Sequence, residues 1–357
     1  MARPLLRAAW APRPSAAPPL SAGQKCRAWW QACRPPFFIT AAIPVTLALA
    51  LAFRVQGHVT PGQWGVWLLL LLGCFLGLTI ANFANDLFDH ILGVDEGENI
   101  GGSRVIQAGL ISPRQLSAAL LLLIPATLVV GAALIFSLPP ALRPCLWAAT
   151  LFAVASAVFY VAPPIRYGHR ALGELFVCLN MGLIMVTAGA TLLLGRFDLR
   201  SLALALPVGL MVAGVLYYQS LPEIETDLAA GKHTLANKLG KDKAALVFKL
   251  WWPAVWLLLI NLWACGLAGW PVFLGLSGLP FYLTACRRIN AAGRGDWLPL
   301  DAHGHLVRKT YLMRRGPDSG RGLLNGYGAV LFFGTKKRFE YAPSWANSII
   351  FLSMPPA

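Results

Sequence analysis

The chain has 357 residues, 57% of them hydrophobic and only 13% charged, with a mean hydropathy of +0.60. Soluble domains carry about 25% charged residues, so a water-soluble globule is excluded. Thirty Lys+Arg stand against fifteen Asp+Glu, a formal net charge of +15. A nucleic-acid surface needs such bases gathered on a solvated face, and most of this chain is too apolar to present one. The composition points to an all-α, polytopic membrane helical bundle whose basic excess lies in cytoplasmic loops. Seven scattered cysteines without a CxxC pair offer neither a metal-thiolate nor a disulfide framework.

In chain order, residues 1–36 form a basic, Pro/Ala-rich arm without a single acid. It lacks the apolar core of a secretory signal and is expected to be a disordered cytoplasmic arm. A mitochondrial transit peptide is the alternative, against which the prolines count. Residues 37–286 form the transmembrane domain. A helix crosses the hydrocarbon in about 20 apolar residues, and eight segments qualify or nearly do: 37–53, 64–85, 115–138, 145–162, 171–195, 201–221, 244–268 and 271–286. Residues 287–357 are an atypical, largely polar and basic tail with one short apolar run, 323–334, that would make a ninth helix. The expected architecture is therefore a bundle of eight to nine transmembrane helices.

Lys and Arg between the spans set the orientation. With the N-terminus inside, the inner loops carry Arg104 and Arg114, then Arg166 and Arg170, then Lys232, Lys238, Lys241 and Lys243. The outer loops carry Arg54, then Arg143, then Arg196 with Arg200. Each inner loop equals or exceeds its outer neighbours. The expected location is a bacterial inner (plasma) membrane with the functional end facing the cytoplasm.

The acids supply the site. Five fall within 86–98 and three within 223–227, more than half of the total. The first window reads Asn82-Phe83-Ala84-Asn85-Asp86-Leu87-Phe88-Asp89-His90. On a helix Asp86 and Asp89 share a face, which Asn82 and Asn85 join. The second reads Pro222-Glu223-Ile224-Glu225-Thr226-Asp227, followed by Gly231-Lys232. Glu223 and Asp227 share a face, while Glu225, about 200° around the helix from Glu223, points elsewhere. Both windows follow even-numbered spans and open on one side of the membrane. Carboxylates at the end of an apolar span are costly unless compensated. Carboxylate and amide oxygens suit a hard cation, and Mg²⁺ binds through a few carboxylates plus substrate phosphates. Two such faces would hold Mg²⁺ against a diphosphate, with Arg104 and Lys232 on its oxygens. His90 and His233 are expected to be solvated interfacial residues, and Trp29-Trp30 and Trp251-Trp252 interfacial anchors.

Asn85-Asp86-x-x-Asp89-x-x-x-Gly93-x-Asp95 resembles the first aspartate-rich motif of the UbiA superfamily of intramembrane aromatic prenyltransferases. Leu221-Pro222-Glu223-Ile224-Glu225-Thr226-Asp227-x-x-x-Gly231-Lys232-x-Thr234-Leu235 resembles the second. Arg34-Pro35, Ala108-Gly109-Leu110-Ile111-Ser112, and Tyr160 through Gly173-Glu174 extend the likeness over roughly 30–286. They bring it nearest to the 1,4-dihydroxy-2-naphthoate polyprenyltransferase branch of menaquinone synthesis. The pattern departs at Glu223, where many members have Asp, at Leu228, where a basic residue is common, and in the tail after 286.

The resemblance implies nine spans around a cavity open sideways to lipid. It also implies that Asn85, Asp86, Asp89, Glu223 and Asp227 bind Mg²⁺ and a polyprenyl diphosphate. Asp86, Asp89 and Asp227 are then the catalytic candidates. Asn82, Asn85, Arg104, Tyr160, Arg166 and Lys232 are the substrate-binding ones, Arg166 facing the carboxylate of an aromatic acceptor. The acceptor stays open between 1,4-dihydroxy-2-naphthoate, 4-hydroxybenzoate, homogentisate, haem and a sugar phosphate. A cation- or proton-coupled transporter is the rival class, but its acids belong near mid-span, whereas these sit at span ends beside basic loops.

Overall fold

The computed structural model describes residues 20–94, 102–293, 295 and 297. The described elements are helical, and the chain enters through α1 (Ala22–Cys33), started by a Ser21–Gln24 capping box: Ser21 N–H donates to Gln24 Oε1 at 2.8 Å and Gln24 N–H to Ser21 Oγ at 3.3 Å. This corrects the expectation of a disordered arm as far as residues 22–33 are concerned. The stretch is helical because its small residues Ala28 and Ala32 fit a helix-packing face, and they bury against Ile80, Phe83, Ala84 and Leu87. Arg34, in the left-handed region at φ 50°, ends α1 and turns the chain into Pro35.

Next come α2 (Ile39–Gln56) and α3 (Pro61–Ile91), the latter opened by a Thr60–Gln63 capping box with Pro61 in its first turn. At 31 residues, α3 is about 46 Å long at 1.5 Å per residue, against a hydrocarbon core of about 30 Å. Its last turns, with Asn82 to Asp89, therefore project beyond the apolar slab. Then follow α4 (Pro113–Phe136) and α5 (Arg143–Phe159). The fifth span is composite: α6 (Gly173–Val177), a π-helical stretch Cys178–Ile184, and α7 (Met185–Leu194). It is followed by α8 (Leu199–Ser220), the short α9 (Ile224–Ala229), and α10 (Leu235–Ala264), which is kinked at Gly240 where φ is 73° and ψ 161°.

Among the described residues, seven helices are long and apolar enough to cross a membrane. The segment expected as the eighth span is not one long helix: Trp270–Gly278 winds as a 3-10 helix and α11 (Leu279–Ala292) follows. Pro271, Gly275, Gly278 and Pro280 punctuate this run and prevent a continuous α-helical ladder. The short apolar run 323–334 lies outside the described residues. Leu121, Leu122 and Val129 are about 70% exposed on α4, a surface suited to acyl chains and costly in water. The tryptophan pairs divide. Trp30 is exposed, but Trp251 sits between helices, its Nε1 donating to Leu210 O at 2.9 Å and its ring stacked on Tyr217 at 5.6 Å.

Lipid is as apolar as leucine, so helices in a membrane associate through close packing of small residues. Here α8 crosses the π stretch so tightly that a Cβ at Gly182 would lie 2.5 Å from Gly209 Cα and 2.6 Å from Ala205 O, and one at Gly209 would lie 2.5 Å from Cys178 O. Because backbone and not a flexible side chain stands in the way, Gly182→Val should lower the apparent melting temperature in detergent by several degrees, an overpacking cost of about 1–3 kcal/mol. Gly65→Ala, whose Cβ meets nothing within 4 Å, is the control. Equal melting of the Gly182 variant and the parent would refute this contact.

Candidate active site

The C-terminal turns of α3 place their polar face inside the protein. Asn82 Nδ2 donates to Cys33 O at 2.9 Å and so ties α3 to the end of α1. Asp86 is 3% exposed, and both of its oxygens are engaged. Arg34 Nη2 pairs with Asp86 Oδ1 and also donates to Asn85 Oδ1 at 3.2 Å. Ser103 donates its N–H to Asp86 Oδ1 at 2.9 Å and its hydroxyl to Asp86 Oδ2. Ser103 O in turn accepts from Gln31 Nε2 at 2.6 Å. One carboxylate thus joins α1, α3 and the loop after α3.

Asp89, one turn on, is also buried. Asn85 Nδ2 donates to its Oδ2 at 2.8 Å and His169 Nε2 to its Oδ1 at 3.0 Å. His169 comes from the loop between α5 and α6, which is stitched to the chain after α9. Arg170 and His233 form a bridge, with Ala171 N–H on His233 O at 2.7 Å and His233 N–H on His169 O at 3.3 Å. This brings the second acidic window to the same end of the bundle.

Asp227 is 0% exposed. Lys232 Nζ stands 3.2 Å from its Oδ1, and Lys232 N–H donates to its backbone carbonyl at 2.8 Å, yet neither carboxylate oxygen receives a directed hydrogen bond. Burial pushes the Asp227 carboxyl above the usual aspartate value, Lys232 pulls it down, and Asp89 adds to the rise. Burial works against charge on Lys232, but Asp227, Glu223 and Asp89 outweigh it and hold that ammonium above the usual lysine range. Burial likewise raises the Tyr160 phenol, which feels Lys232, Glu174, Asp89 and Asp227. Asp89, Asp227, Lys232 and Tyr160 therefore form one electrostatic cluster.

The remaining candidates fall around it. Glu223 caps α9 and accepts Asp227 N–H through its carbonyl at 2.8 Å. Glu225 points away, 71% exposed and paired with Lys241 Nζ at 2.7 Å. Tyr160 packs its ring on Gly168, where a Cβ would come within 2.8 Å of it, and its hydroxyl near Gly173. Arg104 and Arg166, half-buried on flanking loops, both take left-handed backbone, at φ 62° and 44°. Asp95 lies outside the described residues. Three groups central to this arrangement carry no signal of their own in the acidic spacing. Arg34 figured only as part of an Arg-Pro pair, Ser103 is an ordinary loop serine, and His169 lies 80 residues from the carboxylate it meets.

The donors fit a hard divalent cation. The observation that tests the fit is Asp227, a fully buried carboxylate with the Lys232 ammonium beside one oxygen and no directed hydrogen bond on either. Among the described residues no three His, Cys, Asp or Glu side chains converge tightly enough to cage an ion. An ion held here would take its other ligands from water and substrate oxygens, as Mg²⁺ does.

Residues 41–296 match the UbiA prenyltransferase family. The chain belongs to this family. A 1,4-dihydroxy-2-naphthoate octaprenyltransferase of Haemophilus influenzae is 34% identical over 230 residues, 62% of this chain and 71% of that protein. A 2-carboxy-1,4-naphthoquinone phytyltransferase of a Synechocystis strain is 26% identical over 287 residues, 76% of this chain and 85% of that protein. A UbiA homologue from Archaeoglobus fulgidus, solved bound to DMAPP and Mg²⁺, shares the fold at a TM-score of 0.55 and 15% identity, over 78% of this chain and 95% of that one. As a UbiA protein with multiple apolar spans, the chain is an integral membrane protein.

The clasp on Asp86 makes a prediction independent of turnover. Arg34→Gln leaves a buried carboxylate without its counter-charge, a loss of about 3–5 kcal/mol, whereas Ser103→Ala removes hydrogen bonds worth about 1–3 kcal/mol. Adding Asp86→Asn to Arg34→Gln should recover part of the thermal stability, because the unpaired charge goes with it. Thermal unfolding in detergent reads all three, and a double variant less stable than Arg34→Gln would contradict the ion-pair account.

Proposed function

We propose that this UbiA protein transfers a polyprenyl group from polyprenyl diphosphate to an aromatic acceptor, 1,4-dihydroxy-2-naphthoate, in menaquinone biosynthesis, with Mg²⁺ at the diphosphate. The observation that carries the reading is the buried pair of acid turns. Asp89 and Asp227 meet at one end of the bundle, and Asp227 keeps both oxygens without a hydrogen bond. The naphthoate relatives named above support the acceptor.

In this reading Asn85, Asp86, Asp89, Glu223 and Asp227 would hold the metal, and its charge would supply electrostatic stabilisation to a leaving diphosphate. Lys232, kept charged by its acidic neighbours, and Arg104 face the diphosphate oxygens. Asn82 braces the helix that carries the first acids. The aromatic ring forms the new C–C bond to the allylic carbon as the C–O bond to diphosphate breaks, the naphthoate carboxylate leaving as CO2, and the apolar walls of the bundle keep water from competing for the allylic carbon. Arg166 and Tyr160 orient the acceptor, the arginine through the naphthoate carboxylate and the tyrosine with its ring held in place by close packing on Gly168 and Gly173.

The bases between spans support a bacterial inner membrane and a site facing the cytoplasm. Arg104, Arg114, Arg166, Arg170, Lys232, Lys238, Lys241 and Lys243 all follow spans at the end where the acids lie. The 3-10 stretch Trp270–Gly278 and α11 together have the reach of an eighth crossing, about 39 Å at 2.0 and 1.5 Å per residue.

Purified membranes given labelled polyprenyl diphosphate and an acceptor panel should prenylate 1,4-dihydroxy-2-naphthoate in preference to 4-hydroxybenzoate, homogentisate and haem, and only with Mg²⁺. Asp89→Ala and Asp227→Ala should each lower that rate by about 10²-fold or more, the scale of losing electrostatic stabilisation of a leaving anion. Wild-type turnover in either variant would remove the metal assignment, and label on another acceptor alone would replace the naphthoate.

A further inference from the structure

We propose that His169 is a positioning residue that fixes the Asp89 carboxylate for metal binding while holding the second acidic turn in register with the first. The imidazole is 6% exposed, so its polar atoms must be met inside the protein. Its Nε2 donates to Asp89 Oδ1 at 3.0 Å, and Asn85 Nδ2 holds Oδ2 at 2.8 Å. Each Asp89 oxygen receives one protein donor, and an oxygen has further lone-pair capacity for a cation. Carboxylates that bind metals are commonly held by such partners, which set their rotamer and basicity.

The turn that delivers His169 is itself rigidly placed. Arg166 enters it in the left-handed region, and Tyr167–His169 wind as one 3-10 turn. Tyr167 anchors the turn, its hydroxyl donating to Ser156 O at 2.8 Å and its ring stacked on Phe176 at 4.1 Å. On the other side the same turn bonds to the chain of the second window. His169 O accepts from His233 N–H, Ala171 N–H donates to His233 O, and the adjacent Lys232 bonds and pairs with Asp227. One residue therefore touches Asp89 with its ring and the Lys232–His233 segment with its carbonyl. Losing the ring leaves that backbone stitch in place but frees Asp89 to rotate.

The inference rests on the proposed metal reading for the identity of what Asp89 binds, and its test is chosen to separate the two. Mn²⁺ binding to the purified full-length protein, read by electron paramagnetic resonance, needs no turnover. His169→Ala should weaken Mn²⁺ binding and raise the Mg²⁺ concentration for half-maximal transfer by about 10–100-fold, with the KM for the aromatic acceptor unchanged. His169→Gln, whose Nε2 can reach the same oxygen, should recover most of both. Wild-type Mn²⁺ affinity in His169→Ala overturns the proposal, as does a folded His169→Gln that binds Mn²⁺ no better than His169→Ala. Should the alanine variant fail to fold, the glutamine variant decides: near-parental affinity upholds the proposal and a loss overturns it. A parent that binds Mn²⁺ and prenylates none of the acceptors would overturn the reaction and leave this test intact.

Discussion

Three carboxylates buried at one end of a membrane bundle are the constraint on which the rest of this structure depends. An ionised carboxylate taken out of water costs several kcal/mol unless cations and donors replace its hydration. Asp86, Asp89 and Asp227 have no room on their own helices for enough partners. Their partners come from elsewhere: Arg34 and Ser103 for Asp86, His169 for Asp89, Lys232 for Asp227. Each comes from a different connection, so the acids draw the N-terminal helix and three loops over the same end of the bundle. The basic loops that orient the protein in the membrane are thus also the source of its buried counter-charges.

The spans are held by a different kind of interaction. Between helices that face lipid, apolar burial against a neighbour brings little over burial against acyl chains, and shape decides. The Gly182–Gly209 crossing, with backbone against backbone, is the clearest case, and it falls on the π stretch where the fifth span departs from α geometry. Shape fixes the walls and charge fixes the end. Asp227 is the least engaged of these three acids: Lys232 stands beside one oxygen, and neither oxygen receives a directed hydrogen bond. Beside Asp86 and Asp89, whose oxygens each meet a protein donor, that incompleteness marks where a ligand belongs.

What was legible in the sequence follows from the range over which each signal acts. Seven apolar segments read as spans because crossing a bilayer imposes length and composition locally. The shared face of Asn82, Asn85, Asp86 and Asp89, and the outward turn of Glu225, follow from helical geometry over one or two turns. The helix at 22–33 was obscured because it sits in a Pro-rich, basic segment and is stabilised by packing two alanines on a helix 50 residues away. The break at 270–278 was hidden by an apolar composition that overrides its prolines and glycines. Ser103 and His169 were illegible for a further reason. Their roles exist only once loops distant in sequence converge, and no local periodicity encodes that.

The backbone records the same convergence as strain. Four described non-glycine residues have positive φ, and three are arginines: Arg34, Arg104 and Arg166. For a residue with a long side chain the left-handed conformation costs about 1–2 kcal/mol, and such costs persist where surrounding bonds over-determine the chain. Arg34 makes the turn from α1 into Pro35 and itself reaches Asp86. Arg104 directly follows Ser103, which holds the other side of the same carboxylate. Arg166 opens the turn that carries His169 to Asp89. In each case the strained residue is the bend that lets a loop deliver its donor to a buried acid. Glycine would remove the strain but also the positive charge, and a net-positive end is what three buried carboxylates and an anionic diphosphate both require.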